Sequence, residues 1–238
     1  MACALLFAVA FLYAAVGHGG ASGYIASLLF LGVAKDAAVA SALTLNVLVA
    51  GTSLWSFSRA GYLRRGLVWP FLLGSIPAAA LGGYLKVSNA VFSGFLALAL
   101  ILAGLRMWLG AGSEPASRPA PRGLAVAIGA LIGVVSGMIG IGGGVFLSPV
   151  LIVAGWADAK EAAAASAAFI LANSIAAMVG RVARHAPVLV VGSGTWLAAA
   201  WIGGLLGSTL GARWMSNAAV RRTLGAVLWI AGYKLLTA

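Results

Sequence analysis

Long apolar stretches separated by short polar breaks run the length of this chain. The apolar runs fall at about 2–16, 22–33, 37–58, 67–86 and 89–110, and resume at about 123–139, 145–156, 160–181, 187–212 and 217–237. Runs of this density predict helices that cross lipid, because inside a bilayer each backbone N–H and C=O has to bond within its own segment. The break between the two sets, from Gly112 to Arg122, holds three of the seven prolines. Proline lacks a donor and cannot continue a helix, so 111–122 reads as a linker outside the bilayer on the cytoplasmic side. It separates an N-terminal transmembrane repeat, 1–110, from a C-terminal one, 123–238.

In each half the first two runs are shorter than the rest. Twelve helical residues reach only about 18 Å, against a hydrocarbon core of roughly 30 Å. The pairs 2–16 with 22–33 and 123–139 with 145–156 are therefore expected to form hairpins that enter the membrane and turn back near its middle, with glycines at the turn. The three longer runs then cross. An odd number of crossings per half requires the second half to be inverted relative to the first. The expected fold class is an all-α polytopic membrane protein of two inverted-topology repeats, each with a Gly-broken short-helix hairpin plus three long transmembrane helices.

Residue matches between the halves support a duplication. Gly17-His18-Gly19-Gly20 aligns with Gly140-Ile141-Gly142-Gly143, and Gly32 with Gly155. Lys35-Asp36 and the small residues through Ala42 align with Lys160-Glu161 through Ala167. Gly74, Ala78 and Gly82 align with Gly203, Gly207 and Gly211. Those two stripes, with Gly129, Gly133 and Gly137, space small residues for close helix contact.

Composition agrees with the pattern. Of 238 residues 63% are hydrophobic and 8% charged, and the mean hydropathy is +1.08. A soluble domain carries about 25% charged residues, so a cytosolic enzyme, a disordered chain and a nucleic-acid-binding module are excluded. The single Cys3 rules out an internal disulfide framework. The net charge of +11 sits in the gaps between runs, which is the asymmetry that orients membrane proteins. One assignment puts ten cations on one side (Arg59, Arg64, Arg65, Arg106, Arg118, Arg122, Lys160, Arg213, Arg221, Arg222) and five on the other (Lys35, Lys86, Arg181, Arg184, Lys234). The richer side is taken as cytoplasmic, which leaves both termini periplasmic. The run at 2–16 lacks a basic leader and passes directly into the glycine motif, so it reads as part of the mature fold.

The two glycine turns carry the candidate chemistry. Each opens a short helix, near Ser22 and near Val145. The first turn of a helix has unpaired N–H groups and a partial positive charge, a ready site for a small anion. The candidate binding residues are Gly17, His18, Gly19, Gly20, Ala21 and Ser22 of the first turn, and Gly140, Ile141, Gly142, Gly143, Gly144 and Val145 of the second. Asn46 and Asn173 on the following long runs add amide groups. Ser41, Thr44, Ser166 and Ser174 are further hydrogen-bond donors, or ties between helices. His18, an ionisable group expected at membrane depth, is a candidate for coupling a proton to the solute. Arg59 and Arg181 read as topology or lipid contacts, and Asp36, Asp158 and Glu161 as solvated ends. Pro77 and Pro149 are read as kinks or helix starts. Trp69, Trp108 and Trp214 are read as interfacial anchors. No metal site, cofactor or nucleic-acid partner is expected.

The stretch Gly140-Ile141-Gly142-Gly143-Gly144-Val145-Phe146-Leu147-Ser148-Pro149-Val150-Leu151 resembles the glycine-rich signature of the TauE/SafE sulfite exporter family. Lys160-Glu161-Ala162-Ala163-Ala164-Ala165-Ser166 and the weaker first copy fit the same duplicated pattern. The first copy departs from it: His18 replaces an apolar residue, Ala21 a glycine, and Ala26 stands where the second copy has Pro149. The resemblance implies a bacterial inner-membrane secondary transporter for small sulfur-containing anions, sulfite or organosulfonates such as sulfoacetate, working without an ATPase partner. The alternatives are an uptake permease or channel for another small anion or carboxylate, a cation pathway, and a membrane-embedded enzyme. The last lacks clustered His, Asp or Cys at membrane depth. Partners are the anion and the bilayer, with a homodimer left open.

Overall fold

The computed structural model describes residues 1–85, 101, 104–105, 118–188 and 194–237. Among these, every regular element is a helix. In chain order they are α1 (Ala2–Ala14), α2 (Ala21–Phe30), α3 (Lys35–Arg59), α4 (Arg65–Tyr84), α5 (Arg122–Ile139), α6 (Gly144–Val153), α7 (Ala159–Ala183), α8 (Gly194–Thr209) and α9 (Asn217–Thr237). A π-helical turn, Leu210–Trp214, follows α8. Apart from residues 101 and 104–105, the expected run at 89–110 with Trp108 and Arg106 lies outside the described residues, as do Lys86 and the linker up to residue 117.

Four of the described helices, α3, α4, α5 and α7, are long and apolar enough to cross a membrane, and α1, α2 and α6 are short apolar helices. Two expectations change here. From its hydropathy the run at 123–139 is too short to cross. It forms an 18-residue helix that starts one residue earlier, about 27 Å at 1.5 Å per residue, because Pro121 precedes it and fixes its start. Helix α7 persists to Ala183, two residues past its expected end, with His185 in the left-handed region just beyond, and of the run expected at 187–212 residues 189–193 lie outside the described residues.

The two longest helices have different starts. Helix α7 opens on a capping box, with the Glu161 amide donating to Asp158 Oδ1 at 2.8 Å and Asp158 N–H donating back to Glu161 Oε2 at 3.1 Å. Helix α3 opens on Ala34 with no side-chain cap, and only Asp36 complements its dipole. Both helices have a run of alanines in their first turns, and these small side chains let neighbours approach.

Helices α3 and α7 pack together at the centre. Helix α4 packs on α5 and α7, while α8 packs on α1 and α3. The fourth helix of each half thus lies on the first helix of the other half. Both exchanges run through glycine. A β-carbon at Gly74 or Gly82 would strike the carbonyl of Val126 or Val134, and one at Gly129 or Gly137 that of Phe71 or Ala79. On the other side, Gly203, Gly207 and Gly211 face the carbonyls of Phe7, Phe11 and Ala15. The stripes aligned in the sequence therefore do the same work. Ser56 and Ser208 join α3 to α8 through a 2.9 Å hydroxyl bond.

The side chains are arranged for lipid. Trp69, Leu73, Leu131, Val179, Leu206 and Trp214 stand exposed on the outside, whereas His18, Asn46, Ser148, Ser166, Asn173 and Ser174 are buried. Apolar surface on this scale is not left open to water. Pro77 and Pro149 both lie inside helices, in α4 and α6. The chain is a helical multi-pass membrane protein.

The glycine seams give a direct prediction. Gly207→Ala places a methyl group against the Phe11 carbonyl, and overpacking of this kind costs about 1–3 kcal/mol. A β-carbon at Gly51 on α3 meets nothing within 4 Å, so Gly51→Ala should be neutral or stabilise by up to about 1 kcal/mol. Thermal unfolding in detergent should lower the melting temperature for the first variant and leave it level or raised for the second.

Candidate functional site

Both glycine turns break the helix as expected. Gly17 and Gly20 have φ of 76° and 96°, and Gly140, Gly142 and Gly143 have 81°, 75° and 83°, a region that glycine adopts without a Cβ penalty. The left-handed N-caps Gly20 and Gly143 start α2 and α6, one residue earlier than Ser22 and Val145, and neither end has a side-chain cap. In α2 the first amide with an acceptor is Tyr24, bonded to the Gly20 carbonyl at 3.0 Å. In α6 it is Phe146, bonded to the Gly143 carbonyl at 3.0 Å. Among the described residues, no hydrogen bond engages the amides of Gly19, Gly20, Ala21, Ser22 and Gly23, nor those of Gly142, Gly143, Gly144 and Val145. All of these residues are buried except the half-buried Ser22, so the donors lie inside the protein.

The two turns meet. Asn46 of α3 stands between them: its Nδ2 donates to the Ile141 carbonyl at 3.4 Å and to Ser174 Oγ of α7 at 3.3 Å. A β-carbon at Gly19 would strike Asn46 Oδ1, and one at Gly142 would lie 2.9 Å from Asn46 Nδ2 and 3.0 Å from Ser174 Oγ. Only glycine lets both turns close on this amide. Gly17 packs in the same way on the Ala163 carbonyl of α7.

His18 forms a second bridge. Its Nδ1 lies 2.8 Å from the Val16 carbonyl. A carbonyl only accepts, so Nδ1 carries the proton, and in the neutral ring Nε2 is an acceptor. Ser148 Oγ of α6 lies 3.5 Å from Nε2 and 2.6 Å from Ser166 Oγ of α7. A chain of donors then runs from Ser166 through Ser148 to His18, linking the first turn to the helix of the second. A proton on Nε2 would make it a donor and reverse the chain.

Several buried polar atoms in this region have no partner: Asn46 Oδ1, both amide atoms of Asn173 and the hydroxyl of Tyr24. Asn46 and Asn173 are fully buried. Each such group forfeits about 1–3 kcal/mol unless something bonds to it. Asn173 is the residue before Ser174 on α7. The Tyr24 hydroxyl would lie 3.1 Å from a β-carbon at Gly20. Ser22 bonds to Tyr13 at 2.9 Å between hydroxyls.

The sequence reading missed Ser148, Tyr13 and Tyr24. Ser148 is visible inside the glycine signature, three residues after Val145, and the tyrosines have no signal beyond falling one turn from a glycine cluster. Ser41 and Thr44 bond within α3, to the Ala37 and Ala40 carbonyls at 2.8 and 3.1 Å, and Thr44 also lies 3.2 Å from the Val188 carbonyl. The charged ends need correction. Asp36 is exposed, but Glu161 is paired with Arg64 at 3.2 Å and Asp158 caps α7. Arg181 is not a free lipid contact; it is 3% exposed and donates to the Pro187 and Asp36 carbonyls at 3.1 and 3.0 Å. Arg59 does lie outside, over the Trp55 ring. Among the described residues no group of three or more metal-ligating side chains occurs.

Known proteins share this pattern. The profile of the family described as "Sulfite exporter TauE/SafE" matches residues 2–235. The chain belongs to the TauE/SafE sulfite exporter family. It is 37% identical over 235 residues to the "Probable membrane transporter protein y4hK" of Sinorhizobium fredii (strain NBRC 101917 / NGR234), covering 97% of this chain and 95% of that protein. No solved structure matches the chain significantly. As a TauE/SafE protein, the chain is a membrane transporter of that family.

Gly61 and Gly142 separate crowding from backbone strain. Both have positive φ, but a β-carbon at Gly61 has nothing within 4 Å. Gly61→Ala should cost about 1–2 kcal/mol from left-handed strain alone. Gly142→Ala should cost a further ~1–3 kcal/mol, the usual range for overpacking, because Asn46, Ile170 and Ser174 cannot all withdraw. Chemical or thermal unfolding of the two variants, compared with wild type, checks the difference.

Proposed function

We propose that this TauE/SafE protein is a secondary transporter that exports small sulfur-containing anions, sulfite or organosulfonates such as sulfoacetate, across the bacterial inner membrane by alternating access. The observation that carries the reading is the pair of uncapped helix starts, α2 and α6, whose turns meet at Asn46 and His18. Two such ends turn partial positive charge and bare amides toward one place without a buried cation. The anion binds on the amides of Gly19, Gly20, Ala21 and Ser22 and of Gly142, Gly143, Gly144 and Val145. The glycines Gly17 and Gly140 and the residue Ile141 shape the turns. Asn173 has an unpaired amide nitrogen that can donate to a remaining oxygen, while Asn46, its Nδ2 committed to Ile141 and Ser174, holds the two turns in place; a sulfur oxyanion offers three acceptor oxygens.

The transport fold in this proposal is two inverted repeats, 1–110 and 123–238, joined by a cytoplasmic linker at 111–122, with both termini periplasmic. The matched turns, the exchanged packing of α4 on α5 and α8 on α1, and the parallel glycine seams support it. Export of an anion is favoured by an inside-negative potential, by about 2.3 kcal/mol per charge per 100 mV. His18 couples a proton to the step through the Ser148–Ser166 chain.

Thermal unfolding of the purified protein against sulfite, sulfate, sulfoacetate, taurine and carboxylates tests the substrate. An anion that binds only the folded protein stabilises it by about 2.7 kcal/mol at one hundred times its Kd. Sulfite or a sulfonate should raise the melting temperature, and Asn46→Ala and Asn173→Ala should reduce that rise. Stabilisation by carboxylates and not by sulfur anions contradicts the reading. In proteoliposomes, sulfite flux should depend on pH, and His18→Gln should flatten that dependence. An unchanged pH profile removes His18 from the coupling.

A further inference from the structure

Lys160 is a buried cation that the central site does not use. It is 7% exposed. Its ammonium donates to the Tyr62 hydroxyl at 3.2 Å and to the Ala212 carbonyl at 3.1 Å, and lies 4.9 Å from the centre of the Tyr62 ring. An ammonium has three donors, and these partners take two. All of them are neutral. No carboxylate among the described residues lies within 4.0 Å of Nζ, since the salt bridges among those residues are Arg64–Glu161 and Arg181–Asp36. The acids next to it in sequence are committed elsewhere. Asp158 receives the Glu161 amide and Asn217 Nδ2, and Glu161 receives Arg64 and the Asp158 amide. The helix amides here are occupied too, with Lys160 N–H bonded to Asn217 Oδ1 at 3.1 Å. Among the described residues this buried charge has no counter-charge, and such a charge is expensive to keep; an anion at the ammonium itself would supply it.

The place of Lys160 on α7 says what the anion serves. Residues three or four apart share a helix face. Ala163 meets the Gly17 turn, Ser166 bonds to Ser148, Ile170 lies against Gly142 and Gly144, and Ser174 bonds to Asn46. Lys160 heads that same face, about 9 Å along the axis before Ser166 and about 20 Å before Asn173. The partners of its ammonium come from the α3–α4 loop and from the π-helical turn after α8, whose last carbonyls have no helical donor. Arg64, Arg65, Arg213, Arg221 and Arg222 fall on the same basic side in the sequence reading.

We infer that Lys160, with Tyr62, forms a second anion station at the cytoplasmic end of α7, where an oxyanion of the transported class binds before it reaches the glycine turns. The inference rests on the proposed anion transport and adds a site to it. The third ammonium donor and the Tyr62 hydroxyl hold the anion's oxygens, and release of the Ala212 carbonyl frees the π-helical turn to move as the anion passes.

The test uses the full-length protein labelled with 13C at lysine Cε. The chain has four lysines, Lys35, Lys86, Lys160 and Lys234, and the Lys160 resonance is the one missing from Lys160→Arg. Titration with sulfite should shift that resonance saturably in the wild-type protein. In proteoliposomes Lys160→Met should raise the KM for cytoplasmic sulfite about tenfold, the loss of one charge-assisted contact, with kcat nearly unchanged. Lys160→Arg should restore KM to within about threefold. Lys160→Met should keep its stabilisation by sulfite, because the central site is intact. If sulfite stabilises the wild-type protein while the Lys160 resonance stays still, the station is overturned and the transport reading stands. An equal KM for Lys160→Met and wild type also overturns it. If no sulfur anion stabilises or crosses with the wild-type protein, the transport reading fails and the station fails with it.

Discussion

A helix that begins inside a protein carries amides that its own backbone cannot satisfy, and the rest of this structure is arranged around two such beginnings. Helices α2 and α6 start on left-handed glycines, without side-chain caps, in buried turns. Water normally solvates such ends and a Ser, Thr or Asp normally caps them. Here the neighbouring residues are glycine, and a polar carboxamide, Asn46, stands between the two turns. The glycines are needed twice, for the positive φ that makes the turn and for the clearance that lets Asn46, Ala163 and Ser174 approach it.

The packing that holds the turns in place follows from the same lack of side chains. Helix α4 lies on α5 and helix α8 on α1, with backbone carbonyls pressed against glycine Cα atoms. In lipid there is no hydrophobic gain from bringing two apolar helices together, so close van der Waals contact has to supply the association. The seams leave α3 and α7 at the centre, where they present Asn46, Ser166 and Ser174 to the turns and to α6. The interior is polar and neutral, while charge is held at the helix ends, where Arg64 pairs with Glu161 and Arg181 reaches Asp36. A neutral interior with amide donors can release an anion more readily than one built on a buried arginine.

The glycine spacing makes much of this legible in the sequence. Gly17–Gly20 and Gly140–Gly143 announce both turns, and Gly74, Gly82, Gly203, Gly207 and Gly211 announce both seams, because the absence of a side chain has one physical meaning at each place. Asn46 stands out as a polar residue in an apolar run. Lengths are less legible: α5 gains a residue at a proline boundary and α7 runs on to Ala183, since hydropathy does not mark where a helix nucleates or ends. Partners are least legible. Nothing in a single sequence says that Ser148 reaches His18, that Lys160 buries its ammonium against Tyr62, or that Glu161 leaves solvent to meet Arg64, because each depends on which helices become neighbours.

The central claim is that an oxyanion sits between the two turns on main-chain amides. Crystals soaked in selenite, the heavier analogue of sulfite, and measured at the selenium absorption edge locate that ion directly. The account predicts an anomalous peak within hydrogen-bond distance of the amides of Gly19–Gly23 and Gly142–Val145, beside Asn46. A fully occupied peak elsewhere, with none between the turns, would contradict it.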